Sequence, residues 1–225
     1  MAEHLPLEVK VWGDYACFTR PEMKAERVSY PIMTPSAARG LLEAIFWKPE
    51  FRWQVRQIEV LKPIRYISII RNEVNSKASL RSAQQWAVSG GSYFADEDRA
   101  QRHTLALYDV AYLIRADIVL AVHATDDVAK YRDQFRRRVT RGQCYHRPYL
   151  GCREFAASFS DPDGTEQPIG LTSDLGRMLF DLDYAPDQSG RGTPHFFNAR
   201  LDGGILRIPP EEYQRGTSHV IAKAS

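Results

Sequence analysis

The sequence predicts an α+β protein in which an antiparallel sheet carries two helices and is followed by a smaller β-rich unit. Two apolar stripes at helical spacing, several stretches of period-two alternation and a change of texture after residue 158 predict it. The first element is "LEVKVWGDYACF". Leu7, Val9 and Val11 alternate with polar residues as in a half-buried strand, and Gly13-Asp14 is expected to interrupt it as a bulge or turn. In "MTPSAARGLLEAIFW", Thr34 can cap a helix whose first position is Pro35, where the missing N–H loses nothing. Ala37, Ala38, Leu41, Leu42 and Ile45 form its apolar stripe, and Pro49 ends it.

"RWQVRQIEVL" and "IRYISIIRNEV" read as strands separated by Pro63. Residues 75–102 read as an irregular polar connection holding Gly90-Gly91 and an acidic run at 96–98. "HTLALYDVAYLIRADIVLAVHA" carries the longest strand signal, with Val110, Tyr112, Ile114, Ala116, Ile118 and Leu120 on one face. Asp126 or Asp127 can cap a second helix. There Val128, Tyr131, Phe135 and Val139 face the sheet, while Lys130, Arg137, Arg138 and Arg141 face solvent. Gly142 suits the left-handed residue beyond its end. "CYHRPYLGCREFAASF" is expected to return as an extended segment. Strand, helix, strand, strand, helix, strand is the split βαβ, or ferredoxin-like (RRM-like), order, assigned to residues 1–158. A small C-terminal β domain over 159–225 opens with the acidic bridge "SDPDGTEQPIG" and continues as short strands in "LGRMLFDLDYA" and "PHFFNARLDGGILRIP".

The totals exclude several classes. No apolar run reaches the length of a membrane span, and Met1 to Lys10 lacks the apolar core of a signal peptide, so a cytoplasmic address is expected. Cys17, Cys144 and Cys152 lack CxxC spacing, and neither a disulfide framework nor a metal site is indicated. No Walker motif, GxGxxG or HExxH points to a cofactor, and none is expected.

Charge is the informative quantity. Residues 129–155, "AKYRDQFRRRVTRGQCYHRPYLGCREF", carry eight Lys and Arg against Asp133 and Glu154, although the whole chain is only +2. From residue 156 onward the chain is net acidic. Arginines on the outer face of an amphipathic helix are commonly a solvated surface. Here only Asp133 lies inside the helix to balance them, and "CYHRPY" adds aromatic rings and histidine. Cationic groups interleaved with stacking surfaces are the ingredients of single-stranded RNA recognition.

"VWGDYACFTRPEMKAERVSYPIMTPSAARGLLEAIFWKP" together with "GQCYHRPYLGCREF" closely resembles CRISPR-associated protein family five, Dvulg subtype. The resemblance covers nearly the whole chain and implies a ferredoxin-like domain with a small C-terminal β domain. It implies metal-independent cleavage of CRISPR repeat RNA (pre-crRNA) beside its hairpin, with the crRNA held by its 5′ handle. The implied partners are that RNA and the backbone and large subunits of a type I-C interference complex; DNA is a further candidate, and no membrane is implicated. The family's catalytic tyrosine falls on Phe46, its lysine on Lys130 and its histidine on Tyr131, so two of the three side chains depart from the pattern.

Metal-free RNA cleavage uses the substrate's 2′-OH as nucleophile and leaves a 2′,3′-cyclic phosphate and a 5′-OH. It needs a proton-transfer group near neutrality and a cation for the phosphorane. The candidates are Lys130 for charge and His146 for proton transfer, with Tyr131 or Tyr145 assisting and Phe46 marking the family position. Tyr131 equally matches the buried stripe. Arg137, Arg138, Arg141, Tyr145 and Arg147 are the RNA-binding candidates, and His103 is the second choice of histidine. Two alternatives stand beside cleavage: a subunit that binds the crRNA 5′ handle without cutting, and a small-molecule enzyme, which would leave the arginines without a role.

Overall fold

The computed structural model describes residues 4–23, 25–77, 79–184 and 192–214. Its strands are β1 (Leu7–Ala16), β2 (Arg27–Val28), β3 (Phe51–Val60), β4 (Tyr66–Val74), β5 (Arg99–Leu120), β6 (Ser158–Ser160), β7 (Ser173–Tyr184), β8 (Gly192–Asp202) and β9 (Ile205–Arg207). Its helices are α1 (Pro35–Ile45), α2 (Leu80–Ser89) and α3 (Val128–Thr140). The protein is α+β, and the strands join in one sheet of order β6-β1-β5-β3-β9-β8-β7, with β2 and β4 pairing separately on β5.

β5 is 22 residues long and works as two strands in series. Its second half lies between β1 and β3, antiparallel to both, as in Val9↔Ile114 and Val55↔Ala116. Its first half pairs with β4 from Tyr66↔Leu107 to Val74↔Arg99. Asp109, at φ 53, sits at the junction, and Lys62 holds its carboxylate at 2.5 Å.

α1 and α3 pack on the sheet through the stripes read from sequence. Ala38, Leu41, Leu42 and Ile45 of α1 are buried, as are Tyr131, Phe135 and Val139 of α3. Thr34 caps α1 by accepting the Ala37 N–H at 3.3 Å, and Asp127 caps α3 by accepting the Ala129 N–H at 2.7 Å. Trp53 of β3 meets Phe135 edge-on with ring centroids 4.7 Å apart, joining α3 to the sheet.

Four expectations are corrected. Gly13-Asp14 makes no bulge: the β1–β5 register runs through it unshifted, and a Cβ at Gly13 would meet Leu150 Cδ1 at 2.7 Å and the Ala156 carbonyl at 2.8 Å. The glycine admits the 142–157 loop rather than a turn. Residues 75–102 contain α2, capped by Ser79, and β5 already begins at Arg99. "CYHRPYLGCREFAASF" is mostly turns and bends, with strand only at Ser158–Ser160. β7 and β8 form one long hairpin rather than short strands; β9, short and reached through the Gly203-Gly204 turn as expected, pairs with β3 and so continues the main sheet. Residues 185–191 and 215–225 of the expected C-terminal β domain lie outside the described residues.

Candidate functional site

The end of α1 organises the site. The last carbonyls of a helix lack intrahelical partners, and here three successive ones are taken from outside. Ala44 O accepts the N–H groups of Tyr145 and His146 at 2.8 and 3.0 Å. Ile45 O accepts Arg138 Nη1 at 2.8 Å, and Phe46 O accepts Trp53 Nε1 at 2.9 Å. A guanidinium at a helix C-terminus also complements the dipole.

The 142–157 loop is thereby pinned to α1 at one end and to β1 at the other. Gly142 (φ 63) turns the chain out of α3. Gly151 (φ 83) lies so close to β1 that a Cβ there would be 2.1 Å from the Cys17 carbonyl. The Cys17 N–H donates to Leu150 O at 3.0 Å, and Arg27 reaches Cys152 Sγ at 3.6 Å and Glu154 at 3.2 Å. The Cys17 thiol's hydrogen bond, with the Arg27 charge, holds the Cys152 thiol below its ordinary range, while Cys17 is pushed up.

Between the outer face of α1 and this loop lies a cleft of about 870 Å³. Gly40, Glu43, Ala44 and Trp47 form one wall; Tyr145, His146, Arg147, Tyr149 and Arg153 line the other. The Tyr145 and His146 rings meet edge-on at 4.2 Å. Among the described residues no carboxylate pairs with Arg147 or Arg153, nor with Arg137 and Arg141 on the exposed side of α3 and at its end.

The predicted catalytic residues, with Tyr145 and Arg147, separate into three groups. His146, Tyr145 and Arg147 share the cleft. Lys130 stands in the first turn of α3, exposed and bound to Asp126 at 2.7 Å, which raises its ammonium above the ordinary value and keeps it charged. Arg138 lies eight residues further on, about 12 Å along a helix axis. Phe46 and Tyr131 belong to the core, being 1% and 2% exposed, and Phe51 stands between them at 5.3 Å from each ring. Burial raises the Tyr131 phenol, with Glu50 adding to the effect. The Tyr131 hydroxyl is sealed without a hydrogen bond; Asp126, already held by Lys130, comes near it without satisfying hydrogen-bond geometry. Arg138, expected to face solvent, instead bonds Ile45 O and stacks over Phe46 with Cζ 5.1 Å from the ring centroid. Its long stem lets it fold back over the helix end. His103 is exposed on β5, away from the cleft, its N–H donating to Glu26.

Sequence reading missed Trp47, Tyr149, Arg153 and Glu43. Trp47 was discoverable: a tryptophan just past a helix whose apolar stripe is already complete has no inward position to fill, and it is 52% exposed.

This α+β architecture is shared with a solved structure described as a CRISPR-associated protein. The two superpose with a TM-score of 0.65 at 23% identity, covering 93% of this chain and 96% of that one. The family model for Cas5d, a CRISPR-associated protein (Cas5), matches residues 6–205, and the chain belongs to that family. Two curated relatives, each called a CRISPR pre-crRNA endoribonuclease Cas5d, are similar along nearly their whole lengths. The one from Thermus thermophilus is 51% identical, covering 92% of this chain and 93% of the relative. The one from Mannheimia succiniciproducens is 43% identical, covering 93% and 98%.

Proposed function

We propose that the chain is a metal-independent pre-crRNA endoribonuclease that cuts CRISPR repeat RNA and keeps the crRNA 5′ handle. The observation that carries this is the cleft: an exposed imidazole, His146, stands there among unpaired arginines and aromatic rings, in a chain 51% identical to a pre-crRNA endoribonuclease. The order β6-β1-β5-β3, with α1 and α3 as the crossovers, supports a ferredoxin-like reading of residues 1–158, and β7, β8 and β9 then form a β extension of that sheet.

The chemistry follows from the side chains. The 2′-oxygen attacks the adjacent phosphorus as its proton leaves to a base, and the bond to the 5′-oxygen breaks as that oxygen gains a proton. A 2′,3′-cyclic phosphate and a 5′-OH result. His146 has the group type for proton transfer, and Arg147 and Arg153 are the nearby cations for the phosphorane. Lys130 and the exposed Arg137 and Arg141 contact phosphates further along the strand. Phe46 and Tyr131 act as core aromatics behind the site rather than on substrate. The proposed partners are the repeat RNA and the backbone and large subunits of a type I-C complex.

Incubation of purified protein with its own repeat RNA in excess EDTA tests the reading. One cut beside the hairpin supports it. Tight binding of uncut RNA would replace it with a handle-binding subunit.

A further inference from the structure

Gly40 lies in the middle of α1, an 11-residue helix, where glycine is less favourable than alanine. Nothing among the described residues accounts for it. Its backbone is helical, and a Cβ there would meet no atom of the described residues within 4 Å beyond the helix's own neighbouring backbone. The exposed side on which it lies is shared by two adjoining clefts. One is the cleft of about 870 Å³ described above; the other, of about 410 Å³, runs along α1 toward Thr34. Gly40, Glu43 and Tyr149 line both.

We infer that Gly40 is bare because an unpaired RNA nucleotide packs directly on the backbone of α1 at that point, making this face of the helix a nucleotide subsite. The inference rests on the RNA-processing reading above. The surroundings define how the nucleotide lies. Trp47 is 52% and Tyr149 41% exposed, and both offer ring surface for stacking a base. Glu43, held by Arg39 at 2.8 Å, places a carboxylate on the α1 wall. It repels phosphate there and accepts from the amino edge of a base. The phosphates lie on the opposite wall, beside Arg147 and Arg153. A methyl group at position 40 would hold the base away from the helix while improving the helix itself.

The test therefore sets stability against binding. Gly40→Ala should raise Tm by about 1–4 °C and weaken binding of the chain's own repeat RNA by about ten-fold, the scale of one misplaced methyl group. Trp47→Leu should weaken the same binding, and Trp47→Phe should restore most of it. Unchanged affinity in Gly40→Ala, or a lowered Tm, would overturn the subsite, the latter because space at the residue would then be filled within the chain. Equal affinity of Trp47→Leu and wild type would overturn it as well. Failure of the wild type to bind repeat RNA at all would instead overturn the RNA-processing reading on which the subsite rests.

Discussion

Arg138→Ala should destabilise the protein far more than it weakens RNA binding, although the residue lies in the same cationic run as Arg137 and Arg141. The guanidinium makes two contacts: a 2.8 Å hydrogen bond to Ile45 O and a stack at 5.1 Å over Phe46. A hydrogen bond from a charged donor contributes about 1.5–3 kcal/mol, and a partly exposed cation–π contact about 0.5–1 kcal/mol. The site is only half-buried, so water can reach the freed carbonyl and the loss should fall near the lower end, about 2 kcal/mol. In a chain of this length that lowers Tm by about 4–8 °C. Arg138→Lys keeps the charge but loses the planar stack, and should fall between the two. Scanning fluorimetry with RNA binding measured across salt concentrations separates the roles. Arg137→Gln and Arg141→Gln should leave Tm nearly unchanged while each reduces the slope of log K against log salt by about 0.7, the single-strand value per phosphate. A flattened slope with unchanged Tm in Arg138→Ala would refute the structural role derived for it.

His146→Ala should slow single-turnover cleavage at saturating protein by about ten-fold or more, with a smaller change in binding. Lys130→Ala should act on affinity instead; a large rate loss at saturation would move Lys130 into the chemistry. Tyr131→Phe removes a buried hydroxyl that makes no hydrogen bond, so stability should hold or rise by about 1 kcal/mol in urea unfolding, with cleavage unchanged. Loss of cleavage with intact folding would return the phenol to the site. Gly151→Ala places a Cβ 2.1 Å from the Cys17 carbonyl at φ 83, so it should unseat the loop, lowering Tm and cleavage together; a wild-type thermal profile would contradict the close approach.

What the sequence made legible was whatever rests on local rules. Thr34 caps α1 with Pro35 at its first position as read, Asp127 is the one of the two candidate aspartates that caps α3, and the Tyr131, Phe135, Val139 stripe is buried as its spacing requires. α2 carries a local signal, with Ser79 as a cap and Leu80, Ala83 and Trp86 recurring three apart, but the adjacent Gly90-Gly91 and the polar composition outweigh it. The 142–157 loop misled for a different reason. Its aromatic residues suggest a strand, while its shape is set by bonds to Ala44 O and Leu150 O that no local pattern encodes. The site suffered the same limit. Charge and ring types identified Tyr145, His146 and Arg147, yet helical periodicity cannot tell that Arg138 folds back over Phe46, nor that Trp47 faces the same cleft as His146.

In the proposed reaction the RNA's own 2′-hydroxyl does the cutting while the protein supplies protons and charge. Repeat RNA carrying a single 2′-deoxy nucleotide on the 5′ side of the scissile phosphate tests it most directly, with binding and cleavage measured on the same sample in EDTA. The deoxy RNA should bind as the unmodified RNA does and remain uncut, while the unmodified RNA yields an upstream fragment ending in a 2′,3′-cyclic phosphate. Cleavage of the deoxy RNA at the same position, or a 3′-hydroxyl on that fragment, would contradict the account.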